Sequence, residues 1–190
     1  MPYIIVKLQQ GEPEWLEWRS QGIGASDAPA IMGENPWKTP SDLLEEKCSG
    51  KKTVSNAAMI RGAALEPEAR AQYEARVGVQ MIPTCLQSTQ YDWLRASLDG
   101  LAVNGSSAVE IKCGESVYRK AATYLRVPEY YFGQLQHILA VTNLLSIDFY
   151  CYLPKRQPVH FSVARDDSYI TRLIETERLF WELVQRKRNG

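Results

Sequence analysis

The sequence predicts a mixed α/β fold, a central sheet flanked by helices, on three observations. Short alternating apolar segments cluster in the middle of the chain and recur near its end. The segments before, between and after them carry helical periodicity instead. The 190 residues, 45% hydrophobic and 23% charged, suit one well-filled core, so a single domain over residues 1–190 is expected. No apolar run approaches the ~20 residues of a membrane span, and no membrane association is expected.

The elements follow in order. Residues 1–8 alternate apolar and polar positions like a short strand, and they lack the charged start and cleavage site of a signal peptide. Pro13 opens a helix to about Ser20, stopped by Gly22. Ser26 caps a second short helix through Met32, which Gly33 ends. Asn35-Pro36-Trp37-Lys38-Thr39-Pro40 is a turn, with Thr39 capping and Pro40 opening a helix to about Cys48. Residues 50–55 read as a polar linker. Residues 56–77 read as a helix with a kink or break at Pro67.

Two strands over residues 79–82 and 86–90 lead into the central hairpin, residues 94–114. Helices follow over residues 116–125 and 128–141, the second placing Tyr131, Gln134 and His137 on one face. Residues 147–153 and 159–163 alternate as strands that can pair through the loop between them. Residues 166–187 form an amphipathic helix with Ile170, Leu173, Ile174, Phe180, Trp181 and Val184 inward. No internal repeat or low-complexity segment is present.

The hairpin carries the chemistry. Asn104-Gly105 supplies the turn, and two registers fit: Val103 opposite Ser106, or Val103 opposite Ala108. In either one, period-2 geometry sets Asp99, Glu110 and Lys112 on one face and Leu94, Ala96, Leu98, Val109, Ile111 and Cys113 on the other. Two carboxylates this close repel each other unless a divalent cation lies between them. Mg²⁺ takes oxygen ligands and bridges carboxylates to phosphate. The residues alone also fit an edge hairpin of solvated charges in which Lys112 pairs with Asp99. Likewise, Arg19 and Ser26 suit an anion held at a helix N-terminus or plain capping beside a surface arginine. Glu66 suits catalysis or an exposed helix face.

Charge and cysteines bound the function further. Net charge is zero, without the basic excess typical of strong non-specific DNA binders. The candidates for a local basic surface are Lys51-Lys52, Arg119-Lys120, Lys155-Arg156 and residues 186–188, each of which also reads as a plain solvated face. Cys48, Cys85, Cys113 and Cys151 are scattered, which excludes the common structural zinc spacings and suits reduced thiols in a cytoplasm.

Ser97-Leu98-Asp99-Gly100 followed by Glu110-Ile111-Lys112 resembles the core of the PD-(D/E)xK nuclease superfamily. With Trp15, Arg19, Gly24-Ala25-Ser26, Asn35-Pro36-Trp37, Gly62-x-x-x-Glu66 and Gln134-x-Gln136 in the same order, nearly the whole chain resembles the phage lambda exonuclease-like viral recombinase family. That resemblance implies a restriction-endonuclease-like core and metal-dependent 5′-to-3′ removal of mononucleotides from linear duplex DNA. It also implies a ring-shaped homotrimer that hands the remaining 3′ strand to a single-strand annealing protein, in a bacterial host cytoplasm. Asp99, Glu110 and the Ile111 carbonyl would hold Mg²⁺, with Mn²⁺ as a substitute, and Lys112 would activate or steer the attacking water. Glu66 would support the metal or its waters, and Gln134 would position nucleophile or phosphate. Arg19 and Ser26 would hold a 5′ phosphate, with Ser97 beside them. Leu98 stands where the superfamily name has proline. A structure-specific or restriction-type endonuclease, or a non-catalytic DNA-binding module, are the alternatives on this core.

Overall fold

A computed structural model describes residues 2–50 and 57–189. Lys51-Lys52 and most of the expected linker lie outside them. Among the described residues the strands are β1 (Tyr3–Val6), β2 (Ile23–Gly24), β3 (Met81–Ser88), β4 (Leu94–Ala102), β5 (Ala108–Lys112), β6 (Ser146–Cys151) and β7 (Val159–Ala164). The helices are α1 (Pro13–Ser20), α2 (Ala28–Ile31), α3 (Pro40–Ser49), α4 (Ala57–Val77), α5 (Glu115–Tyr124), α6 (Phe132–Thr142) and α7 (Asp167–Asn189). The strands form one mixed sheet in the order β1-β3-β4-β5-β6-β7, with β2 added beside β4. Only β5–β6 and β2–β4 run parallel.

Alternation along β6 shows how the layers close. Ile147, Phe149 and Cys151 pack with Leu135, Ile138 and Leu139 of α6 and Val184 of α7. Tyr150 packs instead with Ala69 and Tyr73 of α4. The sheet is therefore covered by α4 on one face and by α6 and α7 on the other, a three-layer arrangement.

The predicted elements recur with four differences. The strands expected at 79–82 and 86–90 are one strand, β3, because Pro83 sits where the ladder skips: Ile82 faces Leu101, Thr84 faces Leu98, and Pro83 alone opposes Asp99 and Gly100. A residue without an N–H is tolerated where no ladder bond is made. The helix expected to kink or break at Pro67 is not broken there: it continues from Ala57 to Val77. One lost i→i−4 bond is outweighed there by the burial of Ala69 and Tyr73. Ser26 is not a cap: residues 25–27 form a single 3₁₀ turn whose entry amide, Gly24 N–H, donates to the Asp27 carboxylate at 3.0 Å.

The fourth difference concerns the hairpin. Its register is Leu101 opposite Ala108 and Gly100 opposite Val109, equivalent to Val103 opposite Ser106, with Gly105 at φ 72° in the turn. Yet the expected single apolar face does not exist. Leu94, Ala96 and Leu98 pack on the α6 side, and Val109 and Ile111 on the α4 side. The extra residue at Asp99-Gly100 shifts β4 by one, and a one-residue slip exchanges the faces.

Candidate active site

The site lies where β4 and β5 part. Antiparallel ladders alternate between bonded and non-bonded pairs. From the Ala102–Ser107 bond, the alternation would next join Gly100 to Val109 and then Leu98 to Ile111. The last pair does not form. The Leu98 carbonyl accepts from Gln10 Nε2 at 2.9 Å, and the Asp99 carbonyl accepts from Arg70 Nη1 at 2.8 Å. The Ile111 N–H donates to the Asp99 side chain, Oδ2, at 2.7 Å. The carboxylate of Asp99 thus replaces a strand in the seam. The N–H and C=O of one strand residue point toward the same neighbour, so the Ile111 carbonyl is directed at this seam too.

Three further groups close on it. Glu110 is buried, and its Oε1 accepts from Lys112 Nζ at 2.5 Å and from Gln134 Nε2, on the first turn of α6, at 2.6 Å. The Lys112 ammonium sits 5.0 Å from the centre of the Tyr131 ring. From α4, Glu66 pairs with Arg70 at 3.5 Å. Burial and then the neighbouring Glu110 hold the Asp99 carboxyl well above the usual carboxylate range, with Glu66 adding to the effect. Burial also raises Glu66, against Arg70. Burial disfavours the Lys112 ammonium, but Glu110, Tyr131 and Asp99 more than offset this, so it stays charged. The expected catalytic set of Glu66, Asp99, Glu110, Lys112 and Gln134 is therefore brought to one seam.

This donor set fits a hard divalent cation. Glu110 Oε2 is buried without a hydrogen-bond partner among the described residues. It lies beside a second carboxylate whose proton affinity is raised by the proximity of the first. An orphan carboxylate oxygen is costly unless something positive completes it. Oxygen donors from Asp99, Glu110 and the Ile111 carbonyl match Mg²⁺ in type. No cluster of three His, Cys, Asp or Glu side chains that could hold a metal occurs among the described residues, so solvent or substrate oxygens would complete the shell.

The expected phosphate residues also meet. Arg19 Nη2 donates to Ser26 Oγ at 2.7 Å, and the guanidinium lies 4.8 Å from the centre of the Trp15 ring. Trp15 Nε1 donates to Ser97 Oγ at 2.8 Å, which ties this group to β4 two residues before Asp99. The expected row of free helix amides is absent, because α2 has four residues and Asp27 takes the Gly24 amide. Burial pushes the Asp27 carboxyl up, but Lys47 (2.7 Å) and Arg19 together hold it at about 2.

Sequence reasoning did not single out Arg70, whose contact with the Asp99 carbonyl lies 29 residues away in the chain. His137 turns inward rather than joining the site: Nδ1 meets Glu177 Oε1 at 2.7 Å and Nε2 meets the Arg95 carbonyl at 2.8 Å, both side chains fully buried. Nothing in the amphipathic pattern of α7 singles out Glu177 as its buried acid. Gln136 is structural, bridging the Ala164 carbonyl and the Asp166 amide at the start of α7.

A seven-stranded sheet whose middle strands part around two acids and a lysine has the fold of an alkaline exonuclease. The structure matches that of LHK-Exo in complex with dAMP, with TM-score 0.82, 25% identity, and 94% of this chain and 95% of that one covered. A second structure of that alkaline exonuclease, from Laribacter hongkongensis, matches with TM-score 0.83 at 24% identity over the same shares. The chain belongs to the YqaJ-like viral recombinase domain family, whose model matches residues 14–144. It is 31% identical over 180 residues to the uncharacterised protein YqaJ of Bacillus subtilis, covering 91% of this chain and 56% of that one. An uncharacterised protein of Acanthamoeba polyphaga mimivirus is 28% identical over 160 residues, 76% of this chain and 29% of that one. The chain thus spans little more than half of the first relative and under a third of the second. No helix among the described residues is long and apolar enough to cross a membrane.

Proposed function

We propose that the protein is a Mg²⁺-dependent 5′-to-3′ exonuclease. In this reading it degrades linear double-stranded DNA to mononucleotides and leaves 3′ single strands for annealing. One domain over residues 1–190 carries the activity, working as a homotrimer with a single-strand annealing protein in the cytoplasm of a bacterial host. The observation that carries the reading is the pair of acids in the β4–β5 seam, with Glu110 Oε2 buried and unpartnered beside Asp99. The relative solved with dAMP fits a mononucleotide product.

The chain's own residues divide the work. Asp99, Glu110 and the Ile111 carbonyl hold the cation, fixed by the Ile111 amide on Asp99 and by Gln134 on Glu110. When bound, Mg²⁺ supplies charge against the phosphodiester and acidifies water. Lys112, whose ammonium lies 2.5 Å from Glu110 Oε1, would activate or steer the attacking water. Glu66, held by Arg70 at 3.5 Å, would support the metal or its waters. Arg19 and Ser26 anchor the 5′ phosphate, and the Trp15–Ser97 bond keeps that anchor in step with β4.

The deciding assay compares linear and closed-circular duplex of one sequence, with Mg²⁺ or with EDTA. Mononucleotides from the linear form alone, and none in EDTA, are expected. Cutting of the circle would favour the endonuclease alternative, and no cutting at all the non-catalytic module. Sedimentation is expected to give three protomers; a monomer at micromolar concentration would contradict the ring.

A further inference from the structure

The Asn35-Pro36-Trp37 motif has no part in the seam, yet its tryptophan stands 69% exposed. Asn35 Oδ1 accepts from the Trp37 and Lys38 amides at 2.8 and 3.1 Å, and Thr39 then caps α3. The indole is therefore projected from a pinned turn rather than from a floppy loop.

A continuous aromatic strip runs from this residue to the catalytic lysine. Trp37 meets Tyr130 edge-on at 4.8 Å between ring centres, and Tyr130 meets Tyr131 at 4.7 Å. Tyr131 in turn carries Lys112 at 5.0 Å. The exposed Lys120 of α5 lies 4.8 Å from the centre of the Tyr130 ring. Burial alone does not explain the outer end of the strip. A T-shaped contact engages an edge or one face of a ring and leaves apolar surface open, and a core aromatic would be covered. An exposed indole backed by Tyr130 and flanked by the Lys120 cation, leading away from a phosphodiester-cleaving centre, is the kind of surface that unpaired bases stack on.

We propose that Trp37 and Tyr130, with Lys120, form a base-stacking subsite for an unpaired stretch of the DNA strand next to the seam. The subsite rests on the nuclease reading above. It also accounts for strand holding by a chain of zero net charge, because stacking needs no basic excess.

The test is equilibrium binding of a dye-labelled single-stranded oligonucleotide, by anisotropy in EDTA so that nothing is cut. A matched oligonucleotide of abasic sites serves as the probe without bases. Trp37→Ala is expected to weaken binding of the normal strand on the order of tenfold and to leave abasic binding unchanged. Trp37→Phe is expected to keep most of the affinity. Lys120→Ala should flatten the logarithmic salt dependence by about 0.7 for both probes. Equal affinity of wild type and Trp37→Ala for the normal strand, or equal losses on both probes, overturns the subsite. Linear-duplex digestion by the wild type, measured alongside, separates that outcome from failure of the nuclease reading itself.

Discussion

Asp99 on its own is a poor place for a negative charge: half-buried, facing Glu110, and compensated by one amide and the nearby Lys112. Asp27 is the opposite case. It is buried, but Lys47 and Arg19 hold its carboxyl at about 2 against an ordinary 3.8. A depressed folded pKa stabilises the protein above the unfolded value, and that stabilisation is lost as pH falls through the folded one. The shift corresponds to about 2 kcal/mol. Asp27→Asn should therefore cost most near neutral pH. By urea denaturation, the gap to wild type should narrow by roughly half near pH 3; a gap independent of pH would contradict this. Arg19 has a functional test. A 5′-phosphorylated duplex should be digested faster than a 5′-hydroxyl one, and Arg19→Ala should erase most of the difference. Arg19→Lys should restore only part, because an ammonium keeps the charge but not the fork. Equal rates on both ends for the wild type would remove this role.

At the scale of elements, the site is made by a defect. The extra residue at Asp99-Gly100 ends the β4–β5 ladder and turns the carboxylate into the gap, while Gln10 and Arg70 take up the carbonyls left over. Gly100 permits the close approach: a Cβ there would lie 2.8 Å from Val109 Cγ1 and 2.9 Å from Met81 Cβ. Gly100→Ala is expected to cost ~1–3 kcal/mol by overpacking and to lower nucleolysis with it. Unchanged thermal stability would show that the seam can relax. Asp99, Glu110 and Lys112 were legible from their motif spacing, whereas the alternation that grouped them also grouped Leu98 with Val109 and Ile111, which lie on opposite faces. The bulge was not, because a period-2 argument has no term for an inserted residue, and Pro83, its one local sign, read as a strand end. Arg70 and Glu177 were hidden for another reason. A charged residue on an amphipathic helix looks solvated until the partner element that buries it is known.

For the whole molecule, the sheet brings three distant parts of the chain to one place. Segments from α1 and the 3₁₀ turn carry the residues proposed to hold the 5′ phosphate, β4 and β5 the acids, and α6 the glutamine. The order of elements and most of their boundaries followed from local pattern, whereas the split of the core into two faces depended on the single slip in β4. The proposed hydrolysis depends on the seam acids. Its most direct measurement is the initial rate of mononucleotide release from a 5′-labelled linear duplex in Mg²⁺, for wild type and for folded Asp99→Ala. Release of the 5′ label first, and a loss of about 100- to 1,000-fold in the variant, is the predicted result. Degradation by Asp99→Ala at the wild-type rate would contradict it.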